Sequence, residues 1–226
     1  KSMGDSGKVG SSGWAGVLQS SFANSSLEMA SKNEGIKVDK DKIQKAREYQ
    51  KSNYNPDSQS AKTEDGAGIM LYAVSSSVRN SAEEAKEANQ LFKKAKAEGK
   101  IERDAVLNEQ NLERLGYSKE KAKSYDVANK VYNSAKVTAM KEDVLSGFGN
   151  NGGEEFLSFL QTGESMVVNH DDDWKKWYDN IGGRMMQIQN ADGSWNGHHC
   201  ITSPSFCTAT CLMILSIEND IKNLQK

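Results

Sequence analysis

The sequence predicts an all-α fold of stacked helical hairpins. Three observations carry this. Apolar residues recur every three or four positions along most of the chain, as on the buried stripe of a helix. No segment shows the clean two-residue alternation of a half-buried strand. The two prolines, Pro56 and Pro204, fall where helices should stop or start.

The elements follow in order. Residues 1–12 are rich in Gly, Ser and Lys and read as a flexible arm ahead of one domain, 13–226. A first helix is expected from about Gly13 to Asn33, with Trp14, Leu18, Phe22 and Met29 near one face and Gly35 as its stop. A second, about Asp39 to Ser52, has Asp39 as N-cap. Asn53 to Ser58 is a turn cluster. A third helix starts near Asp65, and Ser81 to Glu98 forms a separate charged one. Ile101 to Tyr117 holds short helices, and Ser118 to about Leu145 one long one, so that 80–145 reads as a less regular helical insertion. Four glycines between Gly147 and Gly153 mark a loop before a helix over Glu154 to Val168. The strongest periodicity runs through Trp174, Trp177, Tyr178, Ile181, Met185 and Ile188, with Asp172 or Asp173 as cap. Ser203-Pro204 is an N-cap and N1 pair that opens the last helix.

Composition narrows the function classes. The 29 basic and 31 acidic residues nearly balance, and no basic block stands out, so nucleic acid is not an expected partner. The longest apolar run, Cys211 to Leu215, falls far short of the ~20 residues of a membrane-spanning helix. The sequence begins at Lys1, and a signal peptide is expected to have been removed.

Several stretches share one shape: an apolar helix rich in small residues, a polar connection, then a charged amphipathic helix. Trp14–Asn53, Asp65–Gly99 and Glu154–Asn196 have it, and Pro204–Lys226 has its first half. This is the rhythm of stacked hairpins, with inner helices packed on two sides and outer helices on one. Within the third unit lies Gln187-Ile188-Gln189-Asn190-Ala191-Asp192-Gly193-Ser194-Trp195. Gly193 takes positive φ freely, Asp192 bonds backbone N–H groups in the turn, Gln187 or Gln189 reaches helix-end carbonyls, and Trp195 supplies a flat surface to stack beneath. The group reads as a structural staple.

This segment resembles the QW motif of the terpenoid cyclase and protein prenyltransferase superfamily, the α/α toroids. Trp174, Trp177, Gln189, Asn190, Asp192, Gly193, Ser194, Trp195, Thr208, Ala209 and Leu212 to Leu215 are most similar to bacterial proteins with prenyltransferase/squalene-oxidase repeats. The resemblance covers about Gly153 to Ile217. It implies a partial or small α/α toroid, the chain being short for a full ring.

Chemistry is less sharply written. His170-Asp171-Asp172-Asp173 approaches the Asp-x-Asp-Asp acid of class II terpene cyclases, but His170 stands in place of the first Asp and the run sits at a helix start, where capping explains it. Protein prenyltransferases use an Asp/Cys/His zinc site, and His198, His199, Cys207 and Cys211 are the ligands available here. No cofactor other than such a zinc is indicated. A Cys200–Cys207 disulfide is a competing reading that implies an oxidising compartment. Buried free thiols and a Cys–His nucleophile are two more. Trp14, Tyr72, Trp174 and Trp177 line a ligand cavity or pack a core. The expected function is an exported, periplasmic or extracellular, non-catalytic repeat module. It binds a partner protein or a glycan within a larger assembly. The alternative is a cyclase- or transferase-like enzyme with its site in the toroid cavity.

Overall fold

The computed structural model describes residues 3–9 and 16–224. The chain is all-α. The helices are α1 (Gly16–Ser31), α2 (Lys40–Lys51), α3 (Met70–Ala97), α4 (Glu109–Arg114), α5 (Lys119–Ala139), α6 (Glu142–Leu145), α7 (Gly153–Val168), α8 (Trp174–Gln187), α9 (Pro204–Leu215) and α10 (Ile217–Leu224). Among the described residues the named strands are β1 (Tyr54–Asn55) and β2 (Ser60–Ala61), an antiparallel ribbon between α2 and α3.

Local chemistry sets the helix starts. Asp39, Asn108, Ser118 and Ser203 each accept backbone N–H groups at the first turns of α2, α4, α5 and α9. Pro204 occupies the opening position of α9, where its missing N–H costs nothing. At α7 the Glu155 carboxylate reaches back to the Gly152 N–H at 2.9 Å.

Helices α1, α3, α7 and α9 form an inner row, each packed on the next. Their direction follows from paired positions. Ser76 and Asn80 of α3 reach Val17 and Ser21 of α1, and Tyr72 and Arg79 of α3 reach Glu155 and Glu164 of α7. Positions advance together in both pairs, so these helices run parallel. Helices α2, α5 and α8 return along the row. Tyr178 and Met185 of α8 meet Leu215 and Cys211 of α9, which places α8 antiparallel to α9. Among the described residues α1 and α9 do not pack on each other as the other inner helices do, so the row does not close between them.

Helix α3 is the axis of the fold. Leu71 and Tyr72 belong to a first apolar cluster with Phe156, Trp177, Trp195 and Ile214. Val74, Val78, Ala82 and Ala85 belong to a second with Val131, Tyr132 and Ala135. Ala88, Phe92 and Ala95 belong to a third with Leu112, Ala122 and Tyr125. The side of α3 toward α1 and α7 is polar and equally buried. Asn80 donates to Ser21 at 2.8 Å, and Ser21 donates to Gln161 at 2.8 Å. Glu28 takes Arg47 at 2.6 Å and Arg79 at 3.1 Å. Lys51 pairs with the buried Glu84, which also accepts from Ser124. Buried polar groups are tolerable only when paired in this way.

Three expectations are corrected. The third helix and the charged helix after it are one 28-residue helix. The charge on its second half is divided: Glu84 and Lys86 are buried, whereas Glu87, Lys93 and Lys94 are exposed. Residues 80–145, read as a less regular helical insertion, hold half of α3, the short α4 and the return helix α5, so the second hairpin is α3–α5. Of the arm expected to be flexible, residues 3–9 lie on the fold: Val9 N–H donates to Ser20 Oγ at 3.0 Å, Lys8 pairs with Asp65, and Gly7 lies against the backbone of Lys45 and Ala46.

Candidate functional site

The turn after α8 is built as its residue types suggest. Gly193 has φ 84°, and the Asp192 carboxylate accepts from the Ser194 N–H at 3.0 Å and its hydroxyl at 2.7 Å. The Gln189 amide donates to Gly193 O at 2.9 Å, closing its own turn and not reaching a neighbouring repeat. Gln187 is exposed at the end of α8. Trp195 is buried, and its indole N–H donates to Met185 O at 2.8 Å, while Thr208 Oγ1 accepts the Trp195 N–H at 3.0 Å. The Trp195 side chain thus caps the last turn of α8, and its backbone N–H ties the turn to Thr208 of α9.

The Cys200–Cys207 disulfide is not formed: all three cysteines are free thiols. Cys200 is exposed in a left-handed conformation, φ 49°. Cys207 is buried on the core side of α9, and its thiol donates to Ile201 O at 3.6 Å. Cys211 Sγ packs at 3.6 Å from Met185 Sδ, and burial pushes its thiol up to about 12. The zinc set of His198, His199, Cys207 and Cys211 is not assembled either. His198 is exposed, and the two buried cysteines face the apolar cluster.

His199 instead meets the start of α7. The loop 198–201 lies beside residues 150–154: His198 N donates to Asn151 O at 2.8 Å, Gly153 N to Ile201 O at 3.0 Å, and Ile201 N to Glu154 Oε2 at 3.2 Å. His199 Nε2 then lies 3.0 Å from Asn150 O and 3.1 Å from Glu155 Oε2. Gly152 permits this, since a Cβ there would sit 2.6 Å from the imidazole. Glu154 and Glu155 are both buried. Glu155 Oε1 accepts from the Tyr72 hydroxyl at 2.6 Å and from Phe148 N at 3.2 Å. Ligand atoms of Glu154, Glu155 and His199 all lie within 4.8 Å of one another. Burial holds the Glu154 carboxyl above the ordinary carboxylate range, and Glu155 adds to the rise. Burial and the same two carboxylates also raise the exposed Cys200 thiol.

The remaining candidates fall elsewhere. Tyr72 and Trp177 are buried in the first apolar cluster, so they pack the core and do not line a cavity. Trp174 is half-buried, beside a shallow depression with His170, Asp171 and Asp172. Trp14 lies outside the described residues. The inner helices α1, α3 and α7 are bridged by Ser21, Asn80 and Gln161. In the aspartate run, Asp173 holds the N-cap position of α8 without a side-chain cap bond. Its carboxylate goes to Lys136 at 3.1 Å, and Asp171 binds Lys136 at 2.7 Å and the Tyr132 hydroxyl at 2.9 Å. The run is an anchor for α5 more than a cap.

No protein-family model, curated protein or solved structure matches the chain. Sequence reasoning passed over Glu154, Glu155 and the Tyr72 hydroxyl. Paired acids in the first turn of a helix ordinarily answer its dipole in solvent. The signal available was Gly152-Gly153-Glu154-Glu155: two glycines ahead of the acids, where another chain segment can approach closely.

Proposed function

We propose that this chain is a helical-repeat module that binds a partner protein through the two open ends of its inner row. One observation carries the reading. The exposed stripe of α1, Gln19-Phe22-Ser26-Met29, has no charge, and neither has any position of α9, where Phe206, Ala209, Leu212 and Met213 face solvent. Phe22 and Met29 are each 54% exposed and Leu212 is 53% exposed. Isolated exposed apolar residues are ordinary on a protein surface. Here they repeat at helical spacing on the two inner helices that, among the described residues, have no inner helix packed on one side. Every other junction in the row is filled by another helix, so the occupant this geometry suits is an apolar helix of a partner subunit. A glycan would call for polar groups on these stripes. The kinship with α/α toroids belongs to the same proposal, supported by the parallel inner row and the turn around Trp195. Export to the periplasm or cell exterior is also part of it, with no support from the free thiols.

The test places a photo-crosslinking residue at Phe22 or at Leu212 in the native cell, with one at exposed Val106 as control. Adducts to one discrete protein at the first two positions, and not at the third, are expected. Adducts no more frequent at Phe22 and Leu212 than at Val106 overturn the proposal.

A further inference from the structure

We propose that Glu154, Glu155 and His199 form a binding site for a first-row divalent cation, zinc being the best match. The site is distinct from the apolar stripes of the preceding proposal and does not depend on them.

The argument begins with charge. Two consecutive carboxylates are taken out of water at the start of α7, 2% and 1% exposed. Among the described residues neither ion-pairs with a lysine or an arginine; the one basic group against them is His199. Elsewhere in this protein buried acids are matched, Glu28 by two arginines and Glu84 by Lys51. Hydrogen bonds from Tyr72, Phe148 and Gly152 to Glu155 and from Ile201 to Glu154 offset part of the cost of burying this pair, and a bound cation would offset the rest.

The imidazole gives the second, independent sign. His199 Nε2 lies 3.1 Å from Glu155 Oε2 and 3.0 Å from Asn150 O, so this nitrogen faces the carboxylates. Nδ1, on the other edge of the ring, is buried and has no hydrogen-bond partner. The side chain is 11% exposed.

Geometry and ligand type agree. Ligand atoms around tetrahedral zinc sit about 3.3 Å apart, from bond lengths near 2.0 Å. The three groups here lie within 4.8 Å, so small side-chain movements close the set. One imidazole and two carboxylates suit zinc or manganese, whereas calcium takes six to eight oxygens. Solvent supplies the remaining position. Tyr72 and the N–H groups of Phe148 and Gly152 hold Glu155 in place from behind, the supporting bonds that a ligating carboxylate needs. This assignment differs from the Cys/His set expected from the sequence, because Cys207 and Cys211 face the core.

The experiment uses the full chain, stripped with a chelator and titrated with zinc against a chromophoric competitor. One equivalent should bind. Glu154→Gln and His199→Gln, both close in shape to the native side chains, should weaken binding about 100-fold or more. Tyr72→Phe should weaken it about 10- to 100-fold, as loss of a supporting hydrogen bond does. Cys207→Ser with Cys211→Ser should leave the affinity unchanged. Cobalt in place of zinc should give a spectrum without a thiolate charge-transfer band. Far-ultraviolet circular dichroism identifies any variant that has not folded, and the cobalt spectrum of the unaltered chain decides the ligand type without variants. The proposal fails if the unaltered chain takes up no zinc, if both Gln variants bind as tightly as it does, or if cobalt shows the thiolate band.

Discussion

Trp195 serves both packing and hydrogen bonding, and the two can be separated. Its ring fills the first apolar cluster, and its N–H satisfies a carbonyl in the last turn of α8. Trp195→Ala removes both and should destabilise the fold by about 3–5 kcal/mol. Trp195→Phe keeps most of the ring and strands the Met185 carbonyl, at a cost nearer ~1–3 kcal/mol. Urea melts of the two variants check this; equal losses would mean that the hydrogen bond contributes nothing. The Lys51–Glu84 pair is a sharper case, with side chains 5% and 1% exposed. Lys51→Met leaves a buried carboxylate without its ion-pair partner and should cost about 3–5 kcal/mol. Burial by itself would raise the Glu84 carboxyl. The charge and hydrogen bond of Lys51, with Arg47 and Ser124, outweigh burial and hold it below the ordinary range. A carboxyl depressed in the folded state stabilises fully above its unfolded value. That stability is lost as pH falls through the lower folded value. Stability of the native chain should therefore fall on acidification through and below the ordinary glutamate range. Glu84→Gln should flatten that acid limb; an unchanged slope would show that Glu84 is not held down.

At the scale of elements, close approach between helices depends on small residues at particular points. Gly163 of α7 is one: a Cβ there would lie 2.3 Å from the Trp177 ring of α8. Gly163→Ala must push the two helices apart and should cost about 1–3 kcal/mol, read as a lowered melting temperature. An unchanged melting temperature would show that the α7–α8 contact is loose. Such contacts also show what was legible in the sequence. Helix existence was legible, because Ile181, Met185 and the caps Asp39 and Ser203 act locally. Helix partition was less so. The joint between the two halves of α3 had no breaker, and Glu84, which pairs inside the fold with Lys51, stands in a run whose later charges are exposed. The candidate site was half legible. His199 was singled out, but sequence proximity pointed to Cys207 and Cys211 as its companions. Those cysteines turn to the core on α9, and the partners that the fold supplies, Glu154 and Glu155, lie more than forty residues upstream.

At the scale of the molecule, the three apolar clusters have one element in common. Helix α3 contributes Leu71 and Tyr72 to the first, Val78 and Ala82 to the second, and Phe92 and Ala95 to the third. A helix of 28 residues has little reason to survive in pieces, since isolated segments of ~12 residues are marginal in water. Loss of packing at one end should therefore propagate along it, and the chain should unfold in one transition. The tryptophans make this measurable. Trp174, Trp177 and Trp195 all lie in or against the first cluster, and the third contains none. Phe92→Ala, a buried aromatic in the third cluster, should cost about 3–5 kcal/mol. If α3 couples the clusters, the tryptophan fluorescence transition shifts to lower urea by the same amount as the circular dichroism transition, although none of Trp174, Trp177 and Trp195 belongs to the substituted cluster. If the α4–α5 end unfolds independently, circular dichroism shows an early step while fluorescence keeps its midpoint, and the central role assigned to α3 is wrong.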